Sequence, residues 1–394
     1  MSSSKFNRRI FIKAAIGGGI LASVGGTWRA YQSGVFHTGE GPAYQAWKEW
    51  QGEQAKGPMK LVQAAILAAN PHNSQPWLFH VKKDSIDLYA DFSRQIGTID
   101  PLRREMYIGL GCAIENISLA AKAHGYQTKI QLMPKGSKEN HVAHIQLKAG
   151  KTTPSPLYKA IPLRATRRDA YDLKKPIDPK VLKDIEKLTN SKEVKILWFT
   201  TKDQKKQMGD VIVKATEAII ADKQQSHDSH RWMRQSWKEL QSKKDGITTD
   251  VQGLPSIIRH SAKMMGAIPE EQSNQFWLQA TKQRQVDTAA VFGLLIVKDN
   301  TQARQRLQGG RYWQAIHLWS TIQGLGVQPL NQPCERADRE KTQKGSKPVF
   351  TKALAQLVPK GWEALMPFRM GYPTQPAFKS PRRPYQEVLY KGKG

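Results

Sequence analysis

Apolar positions alternate between a helical and a strand period along most of the chain. Lys60 to Ala69 follows the helical period and stops at Asn70-Pro71, where proline disfavours helix in the preceding residue. Trp77 to Val81 and Ile86 to Ala90 read as strands. Leu110, Ile114, Ile117 and Ala121 form one stripe of a helix from Arg104 to Gly125, with Gly125 suited to its C-terminal cap. Strands follow at Thr128–Met133 and Ala143–Leu147, then a linker-like AGKTTPSP over 149–156. The pattern resumes with a helix starting near Leu157, a helix from Pro179 to Leu188, a strand from Val194 to Phe199 and a helix from Lys202 to Asp222. Residues 223–275 are polar and read as irregular, with Gly246, Gly253 and Pro255. That is long for a connection and predicts a lid or an insert. Ala290 to Val297 reads as a strand, Asn300 and Thr301 are placed to cap the helix after it, and a second long helix covers Tyr312 to Gln323. Gly111 and Gly125 frame the first long helix at the same interval as Gly310 and Gly324 near the second. Each helix leads to a strand-like segment ending in proline, Pro134 or Pro329. Two related halves are expected.

The first 35 residues stand outside this pattern. Arg8-Arg9 opens NRRIFIK, and a short Gly- and Ala-rich apolar run continues from Ala14 to Val24. A charged start before a short apolar core reads as a targeting segment, and the paired arginines as the twin-arginine class. The run is shorter than the ~20 residues that span a bilayer. The expected partner is therefore the twin-arginine export machinery and the expected compartment the periplasm, with the segment retained as an anchor if it is not cleaved. The domains expected are 1–35 as signal, 36–150 as the first half and 151–394 as the second, with the lid at 223–275.

The formal net charge is +28, from 61 basic and 33 acidic residues. Such a charge attracts polyanions. Export argues against nucleic acid and leaves a solvated basic surface that favours anionic lipid headgroups, so a peripheral membrane association and no nucleic-acid partner are expected. Two cysteines, Cys112 and Cys334, do not supply a zinc site, and Cys112 sits in an apolar helical stripe as a small hydrophobe. His227 and His230 lie in a polar stretch with no accompanying ligands, so no metal is expected. No glycine fingerprint for a dinucleotide stands between a strand and a helix.

Three strings carry candidate chemistry. Pro71-His72-Asn73-Ser74-Gln75-Pro76-Trp77 opens a strand, and Asn73, Ser74 and Gln75 offer donors and acceptors for a heterocycle edge or a ribityl chain. Arg164, Thr166 and Arg168 lie in IPLRATRRDAY. At helical spacing Arg164 and Arg168 share a face and converge on one anion, with Arg167 directed elsewhere. Pro381-Arg382-Arg383-Pro384 holds two guanidiniums between prolines as a phosphate clamp. A polar turn, a solvated helix start and a basic tail are the ordinary alternatives, and on the residues alone they stay open.

Together these strings resemble the FMN-dependent nitroreductase superfamily. PHNSQPW is similar to its NSQPW loop, and Arg164, Thr166 and Arg168 to its Arg-x-Ser/Thr-x-Arg/Lys motif. Gly324-Leu325 with Pro329-Leu330-Asn331-Gln332-Pro333 resembles its flavin-ring loop. Phe368 to Pro373, followed by Pro381-Arg382-Arg383, resembles its last strand and phosphate arginines. The order departs from the ordinary family, since the loop here precedes the arginine motif. Ala69-Asn70 also stands where the family often has Pro-Ser. The resemblance implies an α+β nitroreductase-like fold whose two halves pack as an intramolecular pseudo-dimer, as in the branch named for the mycobacterial Acg protein. It further implies a monomer with parts for one FMN. Arg164, Thr166, Arg168, Arg382 and Arg383 would hold the phosphate, Asn73, Ser74 and Gln75 would reach in from the other half, and Leu330 and Asn331 would meet the ring. The implied function is two-electron transfer through the flavin between a small-molecule donor and a nitroaromatic or quinone-type acceptor. The alternative is an exported FMN-binding or sequestering protein without turnover. No side chain is implied as a catalytic acid.

Overall fold

The computed structural model describes residues 24–50, 52, 54–134 and 139–392. The paired arginines and most of the apolar run after them lie outside the described residues. Helix α1 covers Val24–Gln32 and α2 covers Met59–Ala65. The first sheet is built from β1 (Trp77–Val81), β2 (Ser85–Ala90), β3 (Tyr126–Leu132) and β4 (His141–Ala149), with α3 (Arg104–Ala123) between β2 and β3. In the second half β5 (Val194–Phe199) leads to α4 (Lys202–Ala221). An insert comes next, with α5 (Lys223–His230), β6 (Met233–Arg234), α6 (Trp237–Lys243), β7 (Ile247–Thr248), α7 (Ser256–Met265) and α8 (Glu270–Ala280). The chain then completes β8 (Val291–Val297), α9 (Ala303–Ile322), β9 (Gly326–Pro329), α10 (Gln332–Thr342) and β10 (Glu363–Gly371).

The sheets run β1-β2-β4-β3 and β5-β8-β10-β9, antiparallel throughout. Ranked within its half, each has the order first, second, fourth, third, and each places a long helix between its second and third strands. The fold is α+β with two related halves. Their long helices, α3 and α9, pack against each other along their lengths. Leu110, Ile114 and Ile117 of α3 share one buried cluster with Leu307, Ile316 and Leu318 of α9, so a single core crosses the boundary. At the crossing, a Cβ on Gly111 would lie 2.2 Å from the Leu307 carbonyl oxygen. Side chains are excluded there because the backbones themselves touch.

The start of α3 is fixed by Asp100, whose carboxylate accepts from Glu105 N (3.0 Å) and Met106 N (2.9 Å), serving donors the first turn leaves free. Its end is set by Gly125 at φ 77°, as expected.

Three expectations are corrected. The second long helix begins at Ala303, well before Tyr312, because Gly309-Gly310 interrupt the apolar pattern where the crossing demands small residues. Asn300 and Thr301 do not cap it: Asn300 Nδ2 donates to Ala364 O (3.0 Å) and Thr301 Oγ1 to Asp299 Oδ1 (2.6 Å). Residues 223–275 are largely helical rather than irregular. Their helices are short, two starting at side-chain caps (Asp222 accepting from Gln225 N, Ser236 from Glu239 N) and two after prolines, which a search for long periodic runs passes over.

The C-terminal tail leaves β10 and crosses onto the first half. Arg382 N donates to Ala43 O (2.7 Å), and Tyr390 N donates to Phe79 O on β1 (2.8 Å).

Candidate functional site

Between the halves, and roofed by the insert, lies a cavity of about 990 Å³. One wall comes from the first half: Ala69 to Asn73, then Glu105, Ile108, Gly109 and Cys112 of α3. The opposite wall carries Arg164, Thr166 and Arg168, Trp313 of α9, the 328–335 stretch and Arg382. The roof is apolar, with Leu254, Ile258 and Met265 of the α7 region and Ile268, Phe276 and Trp277 of the α8 region.

Arg164 to Arg168 is not helical, contrary to expectation. A 3₁₀ turn ends at Leu163, and Arg164 takes an extended ψ of 133°. In extended backbone alternate side chains share a side, so Arg164, Thr166 and Arg168 reach the cavity together. Arg167 turns away as anticipated, with Nε on Asp169 Oδ1 (3.2 Å) and a terminal nitrogen on the Gln375 carbonyl.

The cation cluster is sunk into the protein, Arg164 and Arg382 fully and Arg168 and Lys379 in part. Among the described residues the Arg164 guanidinium donates to the Leu67 carbonyl (3.1 Å) alone, and Arg168 donates to Val251 O (3.3 Å). Arg382 donates to the Pro381 and Ala68 carbonyls (2.8 and 3.1 Å) and to Asn73 Oδ1. Lys379 Nζ donates to Arg164 O (3.2 Å) and lies 4.8 Å from the Trp47 ring centroid. Among the described residues no carboxylate pairs with any of the four. Burial lowers Arg164 and Arg168 to about 10, with neighbouring guanidiniums adding to it, and lowers Arg382 well below the arginine range. Burial with Arg164 and Arg382 brings Lys379 down to about 7. The Nε atoms of Arg164 and Arg382 are buried with no hydrogen-bond partner among the described residues. Buried cations are ordinarily paired, and this donor set has the charge and spare N–H groups to receive an anion with several oxygens.

The loop Pro71–Pro76 is strained: His72, Asn73 and Gln75 adopt φ of 47°, 54° and 52°. The side chains of Asn73 and Gln75 bind protein. Asn73 Nδ2 donates to Pro381 O (2.9 Å). Gln75 Nε2 donates to Lys244 O (2.8 Å), while its Oε1 accepts from Arg383 N (2.8 Å). Asn73 reaches the cavity wall, but Ser74 and Gln75 stand behind it: Gln75 clasps the tail and the insert, while the Ser74 hydroxyl is buried with no hydrogen-bond partner among the described residues. Arg383 also lies off the wall, donating to Glu387 O (2.6 Å). Leu330 is buried in the second-half core and presents no side chain to the cavity, whereas Asn331 lines it and accepts from Arg104 Nη1 (3.3 Å).

Several groups at the wall escaped sequence reasoning. His72 lies 3.3 Å from Ser229 Oγ, and burial with Arg168 and Arg231 lowers it to about 4, so it is neutral at pH 7. Glu105 and Glu335 line the cavity and hydrogen-bond each other. Burial raises Glu105 to about 7 and Glu335 well above the carboxylate range. Beneath them Arg104 bonds Asp338 at 2.7 Å and Glu105 at 3.3 Å. No spacing announces this pair, since its members lie on helices from different halves. Cys112, also on the wall, and Cys334 are both free and buried. No group of three or more metal-ligating side chains occurs among the described residues.

No family model matches the chain. It is similar in sequence to a Mycobacterium tuberculosis protein described as an NAD(P)H nitroreductase, 31% identical over 109 residues, which is 27% of this chain and 32% of that protein. A second M. tuberculosis protein so described, acg, is 30% identical over 84 residues, 21% of this chain and 25% of its own length. The matched stretch thus spans a third or less of these curated relatives. Among solved structures, an FMN- and NADPH-dependent nitroreductase, NfnB, from a Sphigopyxis strain aligns over 60% of this chain and 99% of its own, at 14% identity and a TM-score of 0.38. A nitroreductase with bound FMN from Desulfitobacterium hafniense aligns over 61% and 100%, at 13% identity and a TM-score of 0.36.

Proposed function

We propose that the chain is an FMN-binding, nitroreductase-like oxidoreductase of the fused, Acg-like kind. Its reaction is a two-electron transfer to a nitroaromatic or quinone-type acceptor. The observation that carries the reading is the cation cluster: buried arginines with unused Nε donors, no carboxylate, and a cavity large enough for a flavin. Arg164, Arg168 and Arg382 would hold the phosphate, with the Thr166 hydroxyl beside them and Lys379 supporting from behind. Asn73 keeps the Arg382 guanidinium oriented. Bound FMN supplies the two-electron chemistry, and the protein supplies orientation and electrostatics. The apolar roof shields the cavity, and Glu335, on the same wall as the arginines, holds a proton.

The chain's place in the cell is part of the same proposal. Arg8-Arg9 and the apolar run after them support export by the twin-arginine route to the periplasm. An R8K/R9K variant should then stay in the cytoplasm on fractionation, and arrival in the periplasm at the parental level would refute the route.

Fluorescence titration of purified protein with FMN tests the cofactor. Anaerobic assays with NADH, NADPH and quinols test turnover. One observation favours a second reading: the insert closes over the cavity, as a protein that stores flavin without turnover would require. FMN binding with no reduction by any donor would select that reading. No FMN binding at all would sink both.

A further inference from the structure

Six of the ten exposed large apolar side chains among the described residues belong to adjoining parts of one region. Trp28 and Tyr31 on α1 are 64% and 56% exposed, and Phe36 just beyond is 56%. Ile257 on α7 is 75% exposed, Met265 at its end 46%, and Phe276 on α8 39%. Scattered apolar residues are ordinary on a surface, whereas clustered ones mark an interaction site. Specific contacts assemble the region: Ala30 is buried against Met264, and Arg29 Nε donates to Met264 O (2.8 Å), joining α1 to α7.

The same region opens the cavity. Ile258, Ala262 and Met265 recur at helical spacing on α7 and line it, as does Phe276. Met265 and Phe276 are at once wall and outer surface, so they frame its mouth. The roof beside them is shallow: α8 has no buried residue, is tied to α5 through Glu270 and Asn274 on Ser226, and passes into a π-helical turn at Thr281–Val286.

We propose that this face docks on an anionic bilayer and that the cavity takes its apolar ligand, a quinone-class molecule, from the lipid phase. Two observations name a bilayer as the occupant. The chain carries a net charge of +28, complementary to anionic headgroups. The sequence entering α1 is basic (Arg8, Arg9, Lys13) and then apolar from Ala14 to Val24, which is the composition of an interfacial segment rather than of a protein interface. Trp28 and Tyr31 add the amphipathic rings that settle at headgroup level. The choice of ligand rests on the proposed oxidoreductase activity, and the docking does not.

Both native cysteines are buried, so Ile257→Cys in the full chain takes a solvatochromic maleimide at one place. Vesicles containing phosphatidylglycerol should shift its emission to the blue and raise it severalfold, and nitroxide lipid should quench it. The same label at Val349→Cys, 58% exposed and far along the sequence in the second half, should not respond. Phosphatidylcholine vesicles should leave both unchanged. If the chain sediments with anionic vesicles while the label at 257 stays in water, the basic leader alone is binding and the proposed face is wrong. If nothing sediments, the docking is wrong outright. Menaquinone in the same vesicles should slow maleimide modification of Met265→Cys beyond the effect of quinone-free vesicles, and equal rates would remove quinone as the ligand. None of these readings requires bound FMN, so they fail or succeed separately from the cofactor titration.

Discussion

Gly310 faces Ile108 across the helix crossing so closely that a Cβ on Gly310 would lie 2.0 Å from the Ile108 carbonyl oxygen. Neither backbone can yield without moving a helix. Gly310→Ala should therefore cost about 1–3 kcal/mol or more in urea denaturation, as overpacking does. At the adjacent Gly309 the obstruction is Leu365 Cδ2, the end of a flexible side chain, so Gly309→Ala should cost less. Equal losses would show that the crossing is not what limits these positions.

Arg164 gives a prediction with opposite signs in two states. Its buried guanidinium has one carbonyl partner and an unused Nε, so in ligand-free protein the charge is a burden. Arg164→Met should leave the melting temperature of ligand-free protein unchanged or raised. The same change should weaken FMN at least tenfold, since a charge-assisted hydrogen bond is worth about 1.5–3 kcal/mol. Parental affinity in the variant would remove Arg164 from the phosphate site.

Lys379 should make anion binding depend on alkaline pH. With its folded value lowered to about 7, it is largely neutral at pH 9 in ligand-free protein. Phosphate in the cluster would restore the proton, so binding above pH 7 takes one up. FMN affinity should fall from pH 7 to 9 by as much as tenfold per pH unit, and Lys379→Met should flatten the slope. Stability of the ligand-free protein should move the other way. The unfolded lysine binds a proton up to about 10.5 and the folded one does not, so stability rises with pH across that window. Calorimetric proton counts in buffers of different ionisation heat check the uptake.

Glu335 and Glu105 carry the reverse dependence. Folding raises both, so the native state binds protons the unfolded chain releases above about 4.5. Stability contributed by the pair is intact below that value and is lost as pH climbs towards 7, through the folded value of Glu105. Glu335→Gln keeps the shape and removes one titrating group. The difference in urea midpoint between parent and variant should shift in the variant's favour from pH 5 to 7. His72 titrates oppositely in an overlapping window, but it is common to both proteins and cancels.

The sheets and both long helices were legible in the sequence because their faces are buried and their periods run long enough to register. Arg164 and Arg168 share a side under either backbone, the expected helix or the observed extended segment, whereas Thr166 joins them only in the extended one. Gln75 and Arg383 stand off the cavity for the opposite reason. Amides and guanidiniums in a loop serve the protein's own backbone as readily as a ligand's, and only the folded tail shows that Gln75 is occupied at both ends. The glutamate pair was invisible because its partners meet where the start of α3 reaches α10, Arg104 bonding Asp338, which one-dimensional spacing does not encode.

The tail that crosses to the first half also guards it. In its sheet β1 is an outer strand, and an outer strand offers unpaired amides to any passing chain. Leu389 bridges to Phe79 and Tyr390 bonds its carbonyl, so part of that rim is already covered. Arg382 lies in the same stretch of chain. A protease that trims the tail would remove a proposed flavin contact and bare a sticky edge in one cut, so molecules without cofactor and molecules that clump should be the same molecules.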